Sequence, residues 1–196
     1  MTLYYATGNP GKLREFRLSA EGTGIRVEAV PGLAGISPCD ESGVTFEQNA
    51  VLKARHYGPH APGPLFADDS GLEVDALGGA PGVYSARFAG PGASDEANND
   101  LLLERMRGVR NRSARFVCVI ALVDGARLLG TFRGAVEGEI LEQPRGPNGF
   151  GYDPLFFYSP FGCSFGEAPA DRKLTVSHRG LALRALWRRL TSGGGE

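Results

Sequence analysis

Two aspartates stand side by side in the stretch Phe66-Ala67-Asp68-Asp69-Ser70-Gly71, directly after the apolar residues Leu65 to Ala67. Adjacent carboxylates at the end of an apolar strand are costly unless cations, a metal or hydrogen-bond donors compensate them. The spacing predicts a strand that ends in a glycine turn, a usual place for ligand and metal chemistry in sheet proteins. If the strand stays regular, Asp68 and Asp69 point to opposite faces, so only one of them meets a given substrate atom. A turn in which the aspartates bond local amides accounts for the same residues. Upstream, Asp40 and Glu41 precede a predicted helix on which Lys53 lies one turn beyond Asn49. A lysine beside Ala50 and Ala54 is also explained by its ammonium reaching out to water.

A second stretch with chemical potential is Ala6-Thr7-Gly8-Asn9-Pro10-Gly11-Lys12. A strand, a small polar turn and a helix starting at that turn present free amides and the positive end of the helix dipole to an anion. Lys12 adds a point charge, and Thr7 and Asn9 add short hydrogen-bonding side chains. The spacing is neither a Walker A loop nor a dinucleotide-binding glycine turn. A plain helix-capping turn with a solvated lysine fits it too.

Two later stretches offer recognition groups. In Gly146 to Phe157, the glycine-rich loop carries Phe150 and Tyr152, flat surfaces for stacking a nucleobase or for ordinary packing. In Asp171 to Gly180, Lys173, His178 and Arg179 gather at the start of the last predicted helix, where an anion or a base carbonyl would be welcome. His56 and His60 carry no such pattern.

The elements that must position these residues follow from periodicity. Leu3 to Ala6, Ile25 to Val30, Leu65 to Ala67 and Leu72 to Leu77 read as extended segments. Pro10 to Ala20 reads as a helix burying Leu13, Phe16 and Ala20. Thr45 and Gln48 form a capping-box pattern opening a helix to Tyr57, and Ser94 caps one to about Arg107. Arg115 to Val123 is almost continuously apolar and is expected to be buried on both faces. Leu128 to Phe132 and Ala135 to Leu141 are expected to join it as an antiparallel meander. The last helix starts near Ser177 and presents Leu183, Leu186, Trp187 and Leu190. Strands and helices mix without strict alternation, which predicts an α/β protein with a mixed central sheet.

Bulk properties narrow the function classes. The chain has 196 residues with 21 Lys and Arg against 22 Asp and Glu, so no global field draws in nucleic acid. No apolar run approaches a membrane span and no signal peptide is expected, which points to the cytoplasm. Cys39, Cys118 and Cys163 form no CxxC pair and read as free thiols. Residues 1–191 are expected to form a single domain, with a disordered tail over 192–196.

Taken together, the Phe66 to Gly90 stretch, TGN with Lys12, Phe150-Gly151-Tyr152-Asp153 and Ser177-His178-Arg179-Gly180 resemble the inosine triphosphate pyrophosphatase family. The similarity runs from Ala6 to about Leu186. It implies a two-lobed α/β fold with a cleft between lobes, a homodimer, Mg²⁺ dependence, and cleavage of non-standard purine nucleoside triphosphates (ITP, dITP, XTP) to the monophosphate and pyrophosphate. Thr7, Gly8, Asn9, Gly11 and Lys12 would hold the triphosphate. Asp69 would be the catalytic base and, with Glu41, would hold Mg²⁺. Asp68 and Lys53 would complete the charged site, and Ser70 would touch substrate. Phe150, Gly151, Tyr152, Asp153, Lys173, His178 and Arg179 would form the base pocket. Arg172 and Leu174 beside Lys173, and the stretch from Tyr158 to Asp171, depart from the family pattern. Two rivals stand beside this reading: a purine nucleotide sensor without hydrolysis, and a related pyrophosphatase for other modified nucleotides.

Overall fold

Among the described residues seven strands and five α-helices follow one another as β1 (Thr2–Tyr5), α1 (Pro10–Ala20), β2 (Arg26–Ala29), α2 (Phe46–Tyr57), β3 (Leu65–Val74), α3 (Asp95–Arg105), β4 (Ser113–Asp124), β5 (Arg127–Ile140), β6 (Phe156–Tyr158), β7 (Cys163–Ser164), α4 (Ala170–Val176) and α5 (His178–Ser192). They are taken from a computed structural model that describes residues 1–192. Of the expected disordered tail, only Ser192 is reached, by the end of α5; residues 193–196 lie outside the described residues.

The strands form one mixed sheet in the order β2-β1-β3-β4-β5-β6-β7. β1 runs parallel to β2 and β3, whereas β5, β6 and β7 are antiparallel neighbours. Only Gly125 and Ala126 connect β4 to β5, and Gly125 takes φ +57°, so this pair is a tight hairpin. β4 is buried without interruption from Phe116 to Val123, as its apolar run requires.

Two expectations are corrected, and one helix is added. The segment Asp68 to Gly71 is not a turn: β3 runs unbroken for 10 residues. Gly71 is needed for close approach, because a Cβ there would stand 2.3 Å from the Ser85 hydroxyl, which accepts the Leu72 amide at 2.9 Å. Leu128 to Phe132 and Ala135 to Leu141 are not two strands but parts of β5, whose ladder continues through Arg133 and Gly134. α4 is a helix that periodicity did not reveal, because seven residues hold less than two full apolar repeats.

The chain divides into two compact units. The first comprises residues 1–69, 118–134 and the chain from Arg179 onward. Its core stacks Tyr5, Phe16 and Phe66 with centroids 4.3–5.1 Å apart, and Trp187 of α5 meets Phe66 edge-on. Leu183, Leu186 and Trp187 are buried as their spacing predicts, with Leu190 half-buried. The second unit comprises residues 70–117 and 135–178. Its core gathers Leu72, Leu102, Ile140, Leu155, Phe156 and Phe165. No helix among the described residues is long and apolar enough to cross a membrane.

Candidate active site

Because β3 stays extended, successive side chains alternate between faces, and this alternation divides the two aspartates of the first unit. Asp68 shares its face with Phe66, toward β1 and α1. It accepts a short hydrogen bond from the buried Tyr5 hydroxyl and pairs with Lys12 Nζ at 2.9 Å. Asp69 turns the other way, toward α2. There it meets Asn49 Nδ2 at 3.2 Å and Lys53 Nζ at 2.9 Å, from side chains four residues apart on one helical face.

The same two residues of α2 control Glu41. Lys53 Nζ lies 3.0 Å from the Glu41 carboxylate, and Asn49 Oδ1 accepts the Gly43 amide at 2.8 Å. Thr45 starts this helix by accepting the Gln48 amide, as its capping pattern predicts, while Gln48 Oε1 accepts from the amide of Val44.

At the start of α1, Asn9 caps the helix by accepting the Lys12 amide at 3.1 Å, and Thr7 Oγ1 accepts the Asn9 amide. Gly8 and Asn9 are exposed, and Gly11 and Lys12 half-buried. One turn beyond Lys12, Glu15 is buried at 7% exposure and holds Arg179 Nη1 at 2.5 Å; Arg179 itself is 2% exposed. Arg179 opens the return of α5 into the first unit, so its charge also acts on Asp68.

Electrostatics pushes the neighbouring carboxyls apart. Burial alone would raise Asp68, but the charges of Lys12, Arg179 and Lys53 and the Tyr5 hydroxyl outweigh it and hold this carboxyl well below the usual range. Asp69 goes the other way: burial lifts it, Glu41 and Asp68 add to the lift, and Lys53 only partly opposes them. Burial disfavours the Lys53 ammonium, yet Asp69, Asp68 and Glu41 together raise its pKa. One ammonium therefore serves three carboxylates, which keeps Lys53 charged, and Asp69 takes up a proton more easily than Asp68. A carboxyl pinned as an anion suits anchoring; a carboxyl raised toward neutrality suits proton transfer.

The donor set at Lys53 also bears on metal binding. Among the described residues no three His, Cys, Asp or Glu side chains cluster as ligands. Glu41 and Asp69 nevertheless converge on one cation, the Lys53 ammonium. Two hard carboxylate oxygens fit Mg²⁺, which is commonly held by one or two carboxylates with substrate phosphates and water filling the remaining positions.

In the second unit, Ser70 follows Asp69 on β3 and is half-buried. The loop before β6 is built around Asp153, whose Oδ2 accepts the Phe150 amide at 2.9 Å and Lys173 Nζ at 2.7 Å. Lys173, 3% exposed on α4, lies 5.2 Å from the Phe150 ring centroid. Gly149 takes φ +77°, and a Cβ there would strike Asp153 Oδ2, so the tight wrap around this carboxylate demands glycine. His178 is buried and stacks on Phe116 at 4.7 Å.

Two residues grouped by sequence with the base pocket have partners that the sequence does not reveal. Tyr152 is 4% exposed in the unit's core and its hydroxyl donates to the Ser85 carbonyl at 2.8 Å, so its ring face is taken by packing rather than offered for stacking. Arg179 Nη1 pairs with Glu15 in the first unit. Sequence reasoning missed Tyr5, Glu15 and Asn49 as partners of Asp68, Arg179 and Asp69. Glu15 carried a readable signal: it shares the buried side of α1 with Phe16, where an acid needs a partner.

Comparison with known proteins identifies the family of the chain. The sequence model of the Ham1 family matches residues 3–189. A dITP/XTP pyrophosphatase of Exiguobacterium sp. is 51% identical over 186 residues, covering 95% of each chain. One of Acidobacterium capsulatum is 48% identical, covering 97% of this chain and 98% of the relative. The solved structure of a HAM1 protein from Coxiella burnetii superposes with a TM-score of 0.89 at 37% identity, covering 98% of this chain and all of that one. The resemblance read from the motifs and the mixed α/β fold are thus borne out, and the chain belongs to the Ham1 family.

Proposed function

We propose that this protein hydrolyses non-standard purine nucleoside triphosphates such as dITP, ITP and XTP to the monophosphate and pyrophosphate. The observation that carries the reading is the opposite treatment of Asp68 and Asp69 beside Lys12, Lys53 and the start of α1. A binding protein gains nothing from a buried carboxyl held ready to take up a proton next to a second one that is pinned as an anion. The curated relatives named dITP/XTP pyrophosphatase point to the same chemistry.

The physical obstacle is to bring water to a phosphorus surrounded by anionic oxygens. Lys12, the exposed turn at Gly8 and the α1 dipole offset phosphate charge. Asp69 accepts the proton of the attacking water while a new bond forms to the α-phosphorus and the bond to the bridging oxygen breaks, releasing pyrophosphate. Asn49 and Lys53 hold the Asp69 carboxylate in place from two sides. Glu41 and Asp69 would hold Mg²⁺, which when bound polarises phosphoryl oxygens and neutralises their charge.

Base choice belongs to the second unit. The Phe150 ring offers a stacking face worth on the order of 1–3 kcal/mol per base. Hypoxanthine and xanthine carry an acceptor oxygen at position 6 where adenine carries an amino donor. A site that donates a hydrogen bond there, from Lys173, His178 or nearby amides, leaves its donor unpaired against ATP. The family resemblance further supports a cytoplasmic homodimer, which sedimentation of the purified chain tests.

The decisive experiment is hydrolysis of ITP in ¹⁸O-labelled water with a parallel panel of triphosphates. Label in inosine monophosphate, with pyrophosphate as co-product, is expected; label in orthophosphate would overturn the reading.

A further inference from the structure

The loop around Phe150 is held in an unusual way. Three consecutive peptide groups are each gripped by a side chain rather than by a backbone ladder. The amide of Phe150 donates to Asp153 Oδ2 at 2.9 Å. The amide of Gly151 donates to Asp95 Oδ2 at 2.6 Å, and the Gly151 carbonyl accepts from Asn99 Nδ2 at 3.1 Å. Fixing the peptide planes on both sides of a residue fixes its φ and ψ, and with them the direction of its Cα–Cβ bond. The first two bonds therefore aim the Phe150 side chain, and the third locks the peptide that follows.

Asp95 and Asn99 lie four residues apart on α3, so one helical face grips both polar groups of Gly151. Gly151 has φ +60°, a conformation that costs other residues strain and that must be held if the loop is to keep one shape. Helix capping alone does not explain these side chains. Ser94 already caps α3 by accepting the Ala97 amide at 3.1 Å. Asn99 is 9% exposed, and its Oδ1 has no hydrogen-bond partner among the described residues. A buried amide with one end unsatisfied is a poor choice for packing, where an apolar side chain would do better. Its other end is what the fold uses. The preceding residue, Asn98, works on a different loop, bonding the Ala89 amide and the Ala86 carbonyl.

We propose that Asp95 and Asn99 are positioning residues for base selection: by clamping Gly151 from α3 they set the pitch of the Phe150 ring. The proposal rests on the reading of Phe150 as the stacking face for the base. Neither residue touches substrate; both act through the loop.

Steady-state hydrolysis of ITP and ATP by the full-length variants tests it. Asp95→Ala and Asn99→Ala should each raise KM for ITP about fivefold to tenfold with kcat within about twofold of wild type. The ratio of kcat/KM for ITP over ATP should shrink in both. Asp95→Asn keeps an acceptor for the Gly151 amide and should restore most of the lost affinity, which a mere helix-dipole role of the acid would not do. Asp95 is exposed, so its variants test the idea even if Asn99→Ala fails to fold. Phe150→Ala is the control. If it raises KM while Asp95→Ala and a folded Asn99→Ala keep wild-type KM and selectivity, the clamp is overturned and the stacking face stands. If Phe150→Ala itself leaves KM unchanged, the stacking face is wrong and the clamp falls with it.

Discussion

Asp68 and Asp69 are chain neighbours whose carboxylates hold different lysines, Lys12 and Lys53, each at 2.9 Å. The split follows from the alternation of β3 and from nothing more elaborate. Each face of the strand meets a different helix, so one aspartate inherits the helix that starts at the Thr7 turn and the other inherits α2. A one-residue change of register would exchange their partners and, with them, their roles.

Asp69→Asn should lower kcat at least a hundredfold while leaving nucleotide binding within a few fold, read by pyrophosphate release and equilibrium binding of ITP. The wild-type acid limb should lie above the ordinary carboxyl value of 3.8, because burial raises Asp69 and the base works only when unprotonated. The sign for stability is the reverse of a salt-bridged acid. With a raised pKa in the folded state, the stability that Asp69 lends is complete below its unfolded value and is lost as pH rises through the folded one. The asparagine variant should therefore be at least as stable as wild type at pH 7. A fast Asp69→Asn enzyme would remove the base.

Asp68 behaves oppositely. Its pKa falls on folding, so its contribution is complete above its ordinary value of 3.8 and is lost as pH falls below that toward the folded value. Urea midpoints should drop on acidification from pH 5 to pH 3 more steeply in wild type than in Asp68→Asn. Tyr5→Phe, which removes one buried donor from this carboxylate, should cost about 2 kcal/mol at pH 7. Parallel acid profiles for wild type and Asp68→Asn would show that the anion is not the stabilising species.

Glu15→Ala leaves the Arg179 charge buried without its carboxylate and should destabilise by about 3–5 kcal/mol, roughly 10 °C in Tm for a chain of this length. Arg179→Ala should raise KM for all triphosphates alike, since this guanidinium supports Asp68 and through it Lys12. The ratio of kcat/KM for ITP over ATP should stay unchanged. A ratio that collapses would return Arg179 to base selection.

The legible parts of this protein were those that depend on neighbours in sequence. Caps at Thr45 and Ser94, the buried stripe of α5 and the apolar run of β4 all follow from local chemistry and periodicity, and all are present. The opposite facing of Asp68 and Asp69 was likewise a consequence of strand geometry. Misreadings arose where glycine signals a turn but serves contact instead. Gly71 admits Ser85, and Gly134 lies within an extended ladder, so two expected breaks are continuous strands. The partners of buried charges were also out of reach. Glu15 and Arg179 stand 164 residues apart, and no local pattern links them.

Metal removal separates a catalytic from a structural ion. In the proposed mechanism Glu41 and Asp69 would hold Mg²⁺, and both share the Lys53 ammonium. The ion's remaining ligands must then come from substrate phosphates and water. EDTA should therefore abolish pyrophosphate release yet leave the urea midpoint of the nucleotide-free protein unchanged. Mg²⁺ alone should move Tm little, whereas Mg²⁺ and a non-hydrolysable ITP analogue should raise it together, by about 2.7 kcal/mol of added stability at an analogue concentration of about 100 Kd. A midpoint that falls in EDTA would make the metal part of the fold, and full activity in EDTA would remove it from catalysis.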